Sequence, residues 1–455
     1  MKVKEILKVT KGKMLFGNEE LEVENFSKDT RTIQKGDIYI GIKGEKFDGS
    51  NFWNKALDAG ATAVIISNIQ ISKEEKEKYK DKTIIQVEDT FEALYEIAKY
   101  KRSLYNIPVI AVTGSVGKTS TKDIIASVVS QKYKTLKTEG NNNNNIGLPL
   151  TILKLKDHEA LVVEMGMNHF GEISLLTNIA KPTLAVITNI GTSHIGNLGS
   201  RENILKAKLE ILEGMKIPRV IINNDNDLLH KWYEENKEKI EIHTYGINNS
   251  SDVIAEKIEL GEEKSKFVVK TSSEKVNIDV PVGGEHFVYN ALCGFMVGKV
   301  LGLTAKEIQN GISKFELTKK RMDIRVLKNG ATLINDSYNA SYESMKASLK
   351  YLSSRTDLRK IAVLGDMLEL GDFSKELHEK VGEEVANDNI DVLICRGEFA
   401  KNIISKANKN KKTQCILLQN NEEILSKLQE ILKEGDGVLI KASNGMKFYE
   451  ICQKL

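Results

Sequence analysis

An apolar, β-branched run, Val109-Ile-Ala-Val112, stops at Thr113-Gly-Ser-Val-Gly-Lys-Thr119, after which Ile124, Ile125, Val128 and Val129 recur at helical spacing. Strand, glycine-rich turn, Lys-Thr, helix is an order that few folds accommodate. The two glycines let backbone amides turn inward together, and the helix start adds partial positive charge. Such a turn receives phosphate oxygens, so Gly114, Ser115, Val116, Gly117, Lys118, Thr119 and Ser120 form a candidate nucleotide cradle. Lys118 would reach the β- and γ-phosphates, and the Thr119 hydroxyl would ligate Mg²⁺. The loop is shorter than the common form, because the position where a first glycine would stand, 112, is Val.

A parallel α/β architecture follows from this unit. The 455 residues exceed one domain, and the signals divide them into 1–103, 104–316 and 317–455. In the first part, Ile38-Tyr-Ile-Gly-Ile42 and Ala63-Val-Ile-Ile66 read as strands, and 90–102 as a helix turning Leu94, Ile97 and Ala98 inward. Residues 71–82 are Lys/Glu-rich and read as a solvated connector. Thr30 and Arg31, followed by Asp48-Gly49, would suit a phosphate or sugar, or would be plain turn residues. No apolar run approaches the about 20 residues of a membrane span, and the N-terminus lacks the apolar stretch of a signal peptide. The net charge, 66 basic less 63 acidic residues, is spread along the chain, which argues against a nucleic-acid stripe. Cys293, Cys395, Cys415 and Cys452 have no metal-ligand spacing and read as reduced thiols, so a cytoplasmic protein without membrane insertion is expected.

Four features of the middle part carry chemistry. Thr138-Glu-Gly-Asn-Asn-Asn-Asn-Asn-Ile-Gly-Leu-Pro149 offers uncharged donors and acceptors, as a polar ligand or an ordinary loop would require. The strand Ala160-Leu-Val-Val-Glu164 ends in an acid, at the strand end where α/β sheets hold ligands and Mg²⁺. Leu184-Ala-Val-Ile-Thr-Asn-Ile-Gly-Thr-Ser-His194 is another strand entering a polar loop, and His194 is a ligand or a structural imidazole. A helix over 201–213, with Ser200 as its cap and Gly214 after it, turns Ile204, Leu205, Ile211 and Leu212 to the core. Lys208, four after Ile204 and three before Ile211, falls on that stripe, whereas Lys206 does not. An inward lysine either snorkels, pairs with Glu164, or is modified. Burial favours its neutral amine, which takes up CO₂ to become a carbamate. Pro281 to His286 reads as a loop, and a helix beginning at Tyr289 would make Asn290 a cap.

In the last part, strands at 333–336, 361–365, 392–395 and 437–441 alternate with helices in a doubly wound pattern. The loops Asp336-Ser-Tyr-Asn-Ala340, Gly365-Asp-Met-Leu-Glu-Leu-Gly371 and Lys441-Ala-Ser-Asn444 should fall at one sheet edge. No Gly-x-Gly-x-x-Gly accompanies them, so a dinucleotide site is not indicated.

Asp29-Thr-Arg31 with Gly36-Asp37, the phosphate loop, Gly140-Asn-Asn-Asn-Asn-Asn-Ile-Gly147, Val163-Glu-Met-Gly166, Thr188 to His194, Ala207-Lys-Leu-Glu210, His286 to Asn290, Lys320-Arg-Met322, Asp336 to Ala340 and Leu364 to Gly371 occur in one order. Taken together they resemble the Mur ligase family of peptidoglycan synthesis over essentially the whole chain. The resemblance implies a small α/β N-terminal domain for the UDP end of a substrate, a central P-loop mononucleotide-binding domain, and a Rossmann-like C-terminal domain that closes over it. The Gly-Asn-x-Asn-Asn, Tyr-Asn-Ala and Gly-Asp-Met-x-Glu-Leu-Gly pieces point to the branch that adds D-alanyl-D-alanine to UDP-N-acetylmuramoyl-tripeptide, using ATP and Mg²⁺, as a monomer. By position, Lys118, Lys208 and His194 would act in catalysis, and Thr119, Glu164, His194 and Lys208 would hold metal. Lys208 would be N-carboxylated beside a second Mg²⁺. Asn290, Arg321 and Asp336 would contact nucleotide, and Thr30, Arg31, Asn141, Asn143, Asn144, Tyr338 and Asn339 would serve the substrates. The family often reads Tyr-Asn-Ala-Asn-Pro and Lys-Gly-Ser-Arg where this chain has Ser341-Tyr342 after Ala340 and Asn444 after Ser443. It often has Asn after the histidine, where this chain has Phe287. Another ligase of the superfamily, a different muramyl peptide ligase or a folylpolyglutamate synthase, is the nearest alternative. A nucleotide-switched binding protein is a further one.

Overall fold

A computed structural model describes residues 1–455 except 45, 46, 68, 319, 320 and 411. Lys320 of the Lys320-Arg-Met322 run, and Glu45 and Lys46 of the loop before Asp48, therefore lie outside the described residues. The chain builds three mixed sheets whose central parallel strands are largely buried on both faces, as parallel strands require.

The first sheet runs Lys13–Phe16, Thr83–Val87, Ala63–Ser67, Ile38–Ile40, Phe26–Ser27, parallel throughout except at its first pair. Alternation along Ala63–Ser67 sends Ala63 and Ile65 to the main core, and Val64 and Ile66 to a smaller cluster under Trp53 and Leu57. The strand expected at 38–42 stops at Ile40, because Ile42 N turns back to Ile40 O and Gly41 packs where a Cβ would stand 2.6 Å from Ser50 Cα. The 71–82 connector is not featureless: Ser72 and Glu75 form a capping box that starts an exposed helix, Lys73–Lys78. The helix Thr90–Ser103 buries Leu94, Ile97 and Ala98 as expected.

The second sheet has nine strands. Its parallel part runs Thr135–Lys137, Ala160–Glu164, Val109–Thr113, Leu184–Ile187, Arg219–Asn223, Glu241–Gly246, Val253–Leu260. Two antiparallel strands absent from the sequence reading, Ser265–Lys270 and Lys275–Val280, then extend it to an edge. The register sets Val112 beside both Glu164 and Val186, so the phosphate loop, Glu164 and the 188–194 loop leave the sheet at one end. The lysine-bearing helix is α-helical over Arg201–Leu209 and then tightens to 3₁₀ over Glu210–Leu212, with Ser200 Oγ accepting from Asn203 N at 3.1 Å. The helix expected from Tyr289 starts four residues earlier, spanning Glu285–Val300 after Gly284 at φ +117°. His286 is thus helical rather than in a loop, and Asn290 sits in the second turn and caps nothing.

The third sheet runs Asp323–Val326, Thr332–Asn335, Asp436–Lys441, Arg359–Gly365, Val392–Arg396, Gln414–Leu417, with only the first pair antiparallel. Its first and last strands escaped the sequence reading. The register pairs Asn335 with Ile440 and Leu364 with Lys441, so the three polar loops do emerge at one edge.

Candidate active site

The strand ends of the second and third sheets face each other across a cavity of about 880 Å³, whose remaining wall is the asparagine loop. Two glycines shape the phosphate loop. Gly114 has φ +151°, and a Cβ there would stand 1.9 Å from Thr188 Oγ1. Gly117, at φ +79°, ends the turn and starts the helix Lys118–Val129. Asn189 braces the turn: its carbonyl and Oδ1 accept from Ser115 N and Val116 N, each at 3.0 Å, and its Nδ2 donates to Val116 O. Asn290 closes the side, its Oδ1 accepting from Thr121 Oγ1 at 3.0 Å.

Lys118 Nζ donates to Gly114 O at 2.9 Å and Ser115 O at 3.3 Å. Desolvation lowers its pKa, Glu164 opposes that shift and Arg321 adds to it. Glu164 is 1% exposed. One of its oxygens accepts from Thr119 Oγ1 at 3.0 Å and the other from Asn143 Nδ2 at 2.8 Å. It forms no ion pair among the described residues. Lys208 is also 1% exposed, and among the described residues its side-chain amine has neither a hydrogen bond nor an ion pair. The pairing with Glu164 that the sequence left open is not made. Burial drives the Lys208 pKa well below the usual lysine value, and the nearby charge of Lys118 lowers it further.

His194 adopts φ +63° at the end of its loop. Its Nδ1 lies 2.6 Å from Glu369 Oε2, and the imidazole holds that carboxyl below the usual range. The approach is close but not a hydrogen bond: buried Nδ1 has no partner in hydrogen-bond geometry. From the third sheet, Arg321 stacks its guanidinium 4.0 Å from the Tyr338 ring centroid and leaves a buried, unpartnered Nε. Asp336 Oδ2 accepts from Lys441 Nζ and, at 2.7 Å, from Ser348 Oγ. Lys441 also donates to Asn339 O at 3.1 Å, and Asn444 Nδ2 to Tyr338 O at 3.0 Å, so the Tyr338-Asn339 turn is clamped from below.

Of the residues singled out from sequence, Ser115 to Ser120, Asn141, Asn143, Asn144, Glu164, His194, Asn290, Arg321, Asp336, Tyr338 and Asn339 border this one cavity. Gly114 and Lys208 lie outside its lining. Thr30 and Arg31 stand apart, on the loop after Phe26–Ser27, where Arg31 is exposed and forks onto Asp29 at 2.9 and 2.6 Å. Sequence reasoning gave Asn189 and Lys441 no individual role, although both stand in loops it singled out, and it passed over Glu343. Lys441 had a signal, as a charge ending a buried strand; Glu343 had none beyond its place at a helix start.

A phosphate loop facing a second α/β sheet across a polar cleft is an arrangement suited to an ATP-dependent ligase, and the chain belongs to the Mur ligase family. Family models match for the Mur ligase family catalytic domain over residues 22–102, the Mur ligase middle domain over 112–298 and the Mur ligase glutamate ligase domain over 320–444. Among relatives, the UDP-N-acetylmuramoyl-tripeptide–D-alanyl-D-alanine ligase of Bacillus subtilis is 37% identical, with 100% of this chain and 98% of that one covered. The ligase of the same name from Escherichia coli is 30% identical over 83% of this chain and 82% of its own. Among solved structures, MurF from Acinetobacter baumannii superposes with a TM-score of 0.88 at 29% identity, covering 100% and 98% of the two chains. MurF from Thermotoga maritima in complex with ADP gives 0.82 at 29%, covering 96% and 98%.

Proposed function

We propose that this chain joins D-alanyl-D-alanine to UDP-N-acetylmuramoyl-tripeptide, using ATP and passing through an acyl phosphate, in cytoplasmic peptidoglycan precursor synthesis. The observation that carries the reading is the convergence of the phosphate loop, the Asn141–Asn144 loop and the Asp336–Asn339 turn on a single cavity. Relatives of that name over nearly the full length support it. No described helix is long and apolar enough to cross a membrane.

In this reading the three units 1–103, 104–316 and 317–455 divide the work. Thr30 and Arg31 of the first meet the UDP end, and Asn141, Asn143 and Asn144 the sugar side. The phosphate loop holds the nucleotide's phosphates. Asn290, Arg321 and Asp336 contact its remainder, and the unpartnered Arg321 Nε has an unmet need for an anion. The residues fit Mg²⁺: a buried carboxylate with no ion-pair partner among the described residues, Glu164, touches the phosphate-loop hydroxyl of Thr119. Thr119, Glu164 and His194 would hold the metal, with Glu369 at Nδ1 orienting the imidazole. Bound there, Mg²⁺ supplies positive charge to the phosphoryl oxygens. Lys208, buried and short of partners, is the residue to carry a carbamate: its neutral amine bonds to CO₂ and releases a proton.

The tripeptide carboxylate is too weak an electrophile to meet an amine directly. An oxygen of it attacks the γ-phosphorus, ADP departs, and Lys118 stabilises the transferring charge. The dipeptide's neutral amine then attacks the acyl carbon and phosphate leaves. Tyr338 and Asn339, clamped by Lys441 and Asn444, line the side from which the dipeptide enters. The closed third sheet keeps water from the acyl phosphate. The test is phosphate release with ATP, Mg²⁺, UDP-N-acetylmuramoyl-tripeptide and D-alanyl-D-alanine, omitting each in turn, with mass spectrometry of the product. Release that needs all four, with pentapeptide formed, is expected. Release indifferent to D-alanyl-D-alanine would overturn the acceptor and direct the search to glutamate, lysine or diaminopimelate.

A further inference from the structure

The 190–196 segment of the second sheet is gripped twice by the third. At one point Glu343, the second residue of the helix Tyr342–Ser354, places its carboxylate on Thr192: Oε1 accepts from Thr192 N at 2.8 Å and Oε2 from Thr192 Oγ1 at 3.1 Å. The neighbouring Gly191 makes room, since a Cβ there would lie 2.5 Å from Glu343 Cδ. At the other point Glu369 O accepts from Gly196 N at 3.1 Å, and a Cβ on Gly196 would lie 2.6 Å from Gly371 N. The gripped segment in turn holds the phosphate loop. Gly191 N donates to Ser115 Oγ at 2.9 Å, and Ser193 Oγ donates to Ser115 O at 3.2 Å.

We infer that Glu343 is a positioning residue for the ligase reaction, registering the third sheet on the phosphate loop through the Gly191-Thr192 step. A carboxylate accepting from both the amide and the hydroxyl of one residue fixes distance and orientation together, and a bond to a charged acceptor is stronger than a neutral one. The contact joins the two sheets and touches none of the phosphate loop's amides, so it acts on how the sheets are set together rather than on the nucleotide cradle. It contributes to the step that needs both sheets, the meeting of activated carboxylate and dipeptide. Its relay to Ser115 is two hydrogen bonds long, so the third sheet is registered against the phosphate loop itself, whose own amides still hold the nucleotide without it. Arg201, fixed by Asp227 and donating to Ile190 O at 2.7 Å, adds a favourable field to the Glu343 carboxylate.

The inference rests on the function proposed above, and the experiment separates the two. Steady-state kinetics would compare the full chain with E343A, E343Q, T192V and G191A, alongside calorimetric ATP affinity. Small-angle scattering would follow compaction when a non-hydrolysable ATP analogue and the UDP-tripeptide are added. Losing a charged pair of bonds predicts that E343A lowers kcat about tenfold or more. ATP affinity and the melting temperature should stay near wild type, and compaction should be lost. E343Q, isosteric but with one acceptor oxygen, should fall between. G191A should reproduce E343A although the carboxylate remains, and E343A/T192V should be no worse than E343A alone. A kcat for E343A or G191A within twofold of wild type, with compaction intact, would overturn the inference. So would a parallel loss of ATP affinity and melting temperature in E343Q, which would mark a purely structural role. A wild-type chain that compacts with these ligands but forms no amide would instead defeat the proposed reaction and leave the closing contact standing.

Discussion

At the scale of single residues, the proposed chemistry turns on two lysines and one carboxylate. The charge of Lys118 lies close enough to disfavour a charge on Lys208, and both lysines lose hydration. Glu164 lies buried against a hydroxyl and an amide and is not paired with either lysine. In the proposed reading, a site with this imbalance would accept an anion near Lys118 and a cation near Glu164, and Lys208 would be the amine to take up CO₂. Replacing Lys208 by Ala should lower the ligase rate roughly 100-fold, the scale seen when a metal's supporting groups are removed. A short-chain carboxylic acid in the assay should restore part of it by standing in for the carbamate, and a K208A enzyme near full rate would refute the role. The periodicity of 201–213 was enough to place Lys208 inward, because a helical stripe is a local property. It did not say what the amine would meet there. Pairing with Glu164 was equally compatible with the stripe until Asn143, from a distant loop, took up the oxygen.

At the scale of elements, the phosphate loop depends on Gly114 more than on any other backbone position described. With φ +151° and Thr188 Oγ1 within 1.9 Å of a Cβ, G114A has to move Thr188, whose hydroxyl holds Val116 O at 2.7 Å. The variant should lose about 1–3 kcal/mol of stability. Its ATP affinity should fall more steeply than its affinity for the UDP-tripeptide, as titration calorimetry would record. This loop was legible in the sequence because strand, glycine turn and helix are contiguous and each has its own period. The same reasoning found the polar loops at the strand ends of the third sheet, where a buried parallel strand has to release its polar groups. It failed where no such contrast exists. The helix Lys73–Lys78 buries nothing, so only its capping box betrays it. The strand Lys275–Val280 does alternate cleanly, yet a search for βα units steps over an antiparallel hairpin. The start of Glu285–Val300 is fixed by Gly284 at positive φ, a backbone fact that apolar spacing does not carry. Glu343 was illegible for a different reason: its meaning comes from a segment about 150 residues away, and local sequence has no record of that.

At the scale of the whole molecule, His286 reports how the second and third sheets meet. Its helix belongs to the second, but Asp336 and Lys441 of the third lie within its field. Burial is the main cause that lowers its pKa from 6.5 to about 4, Asp336 and Glu285 oppose that, and Lys441 assists it. The unfolded chain therefore takes up a proton below about pH 6.5 that the folded chain refuses until about pH 4. The stabilisation is fully present above that window and is lost as pH falls through it. Thermal melts across this range should show a steeper decline for the wild type than for H286Q. His378, also lowered by burial, adds to the decline in both proteins alike. Equal slopes would remove His286 from the account. The antiparallel hairpin of the second sheet bears on a different property of the whole, its behaviour in a concentrated solution. A nine-stranded sheet exposes two margins that another chain could extend. One ends in the three-residue strand Thr135–Lys137, too short to template a partner. The other ends in Lys275–Val280, where Lys275, Asn277 and Asp279 point outward and Gln309 Nε2 already donates to Asn277 O at 2.8 Å. The hairpin that adds nothing to the cavity thus blunts the sheet against intermolecular pairing. Trimming it to shorten the chain would exchange a few residues for a tendency to aggregate.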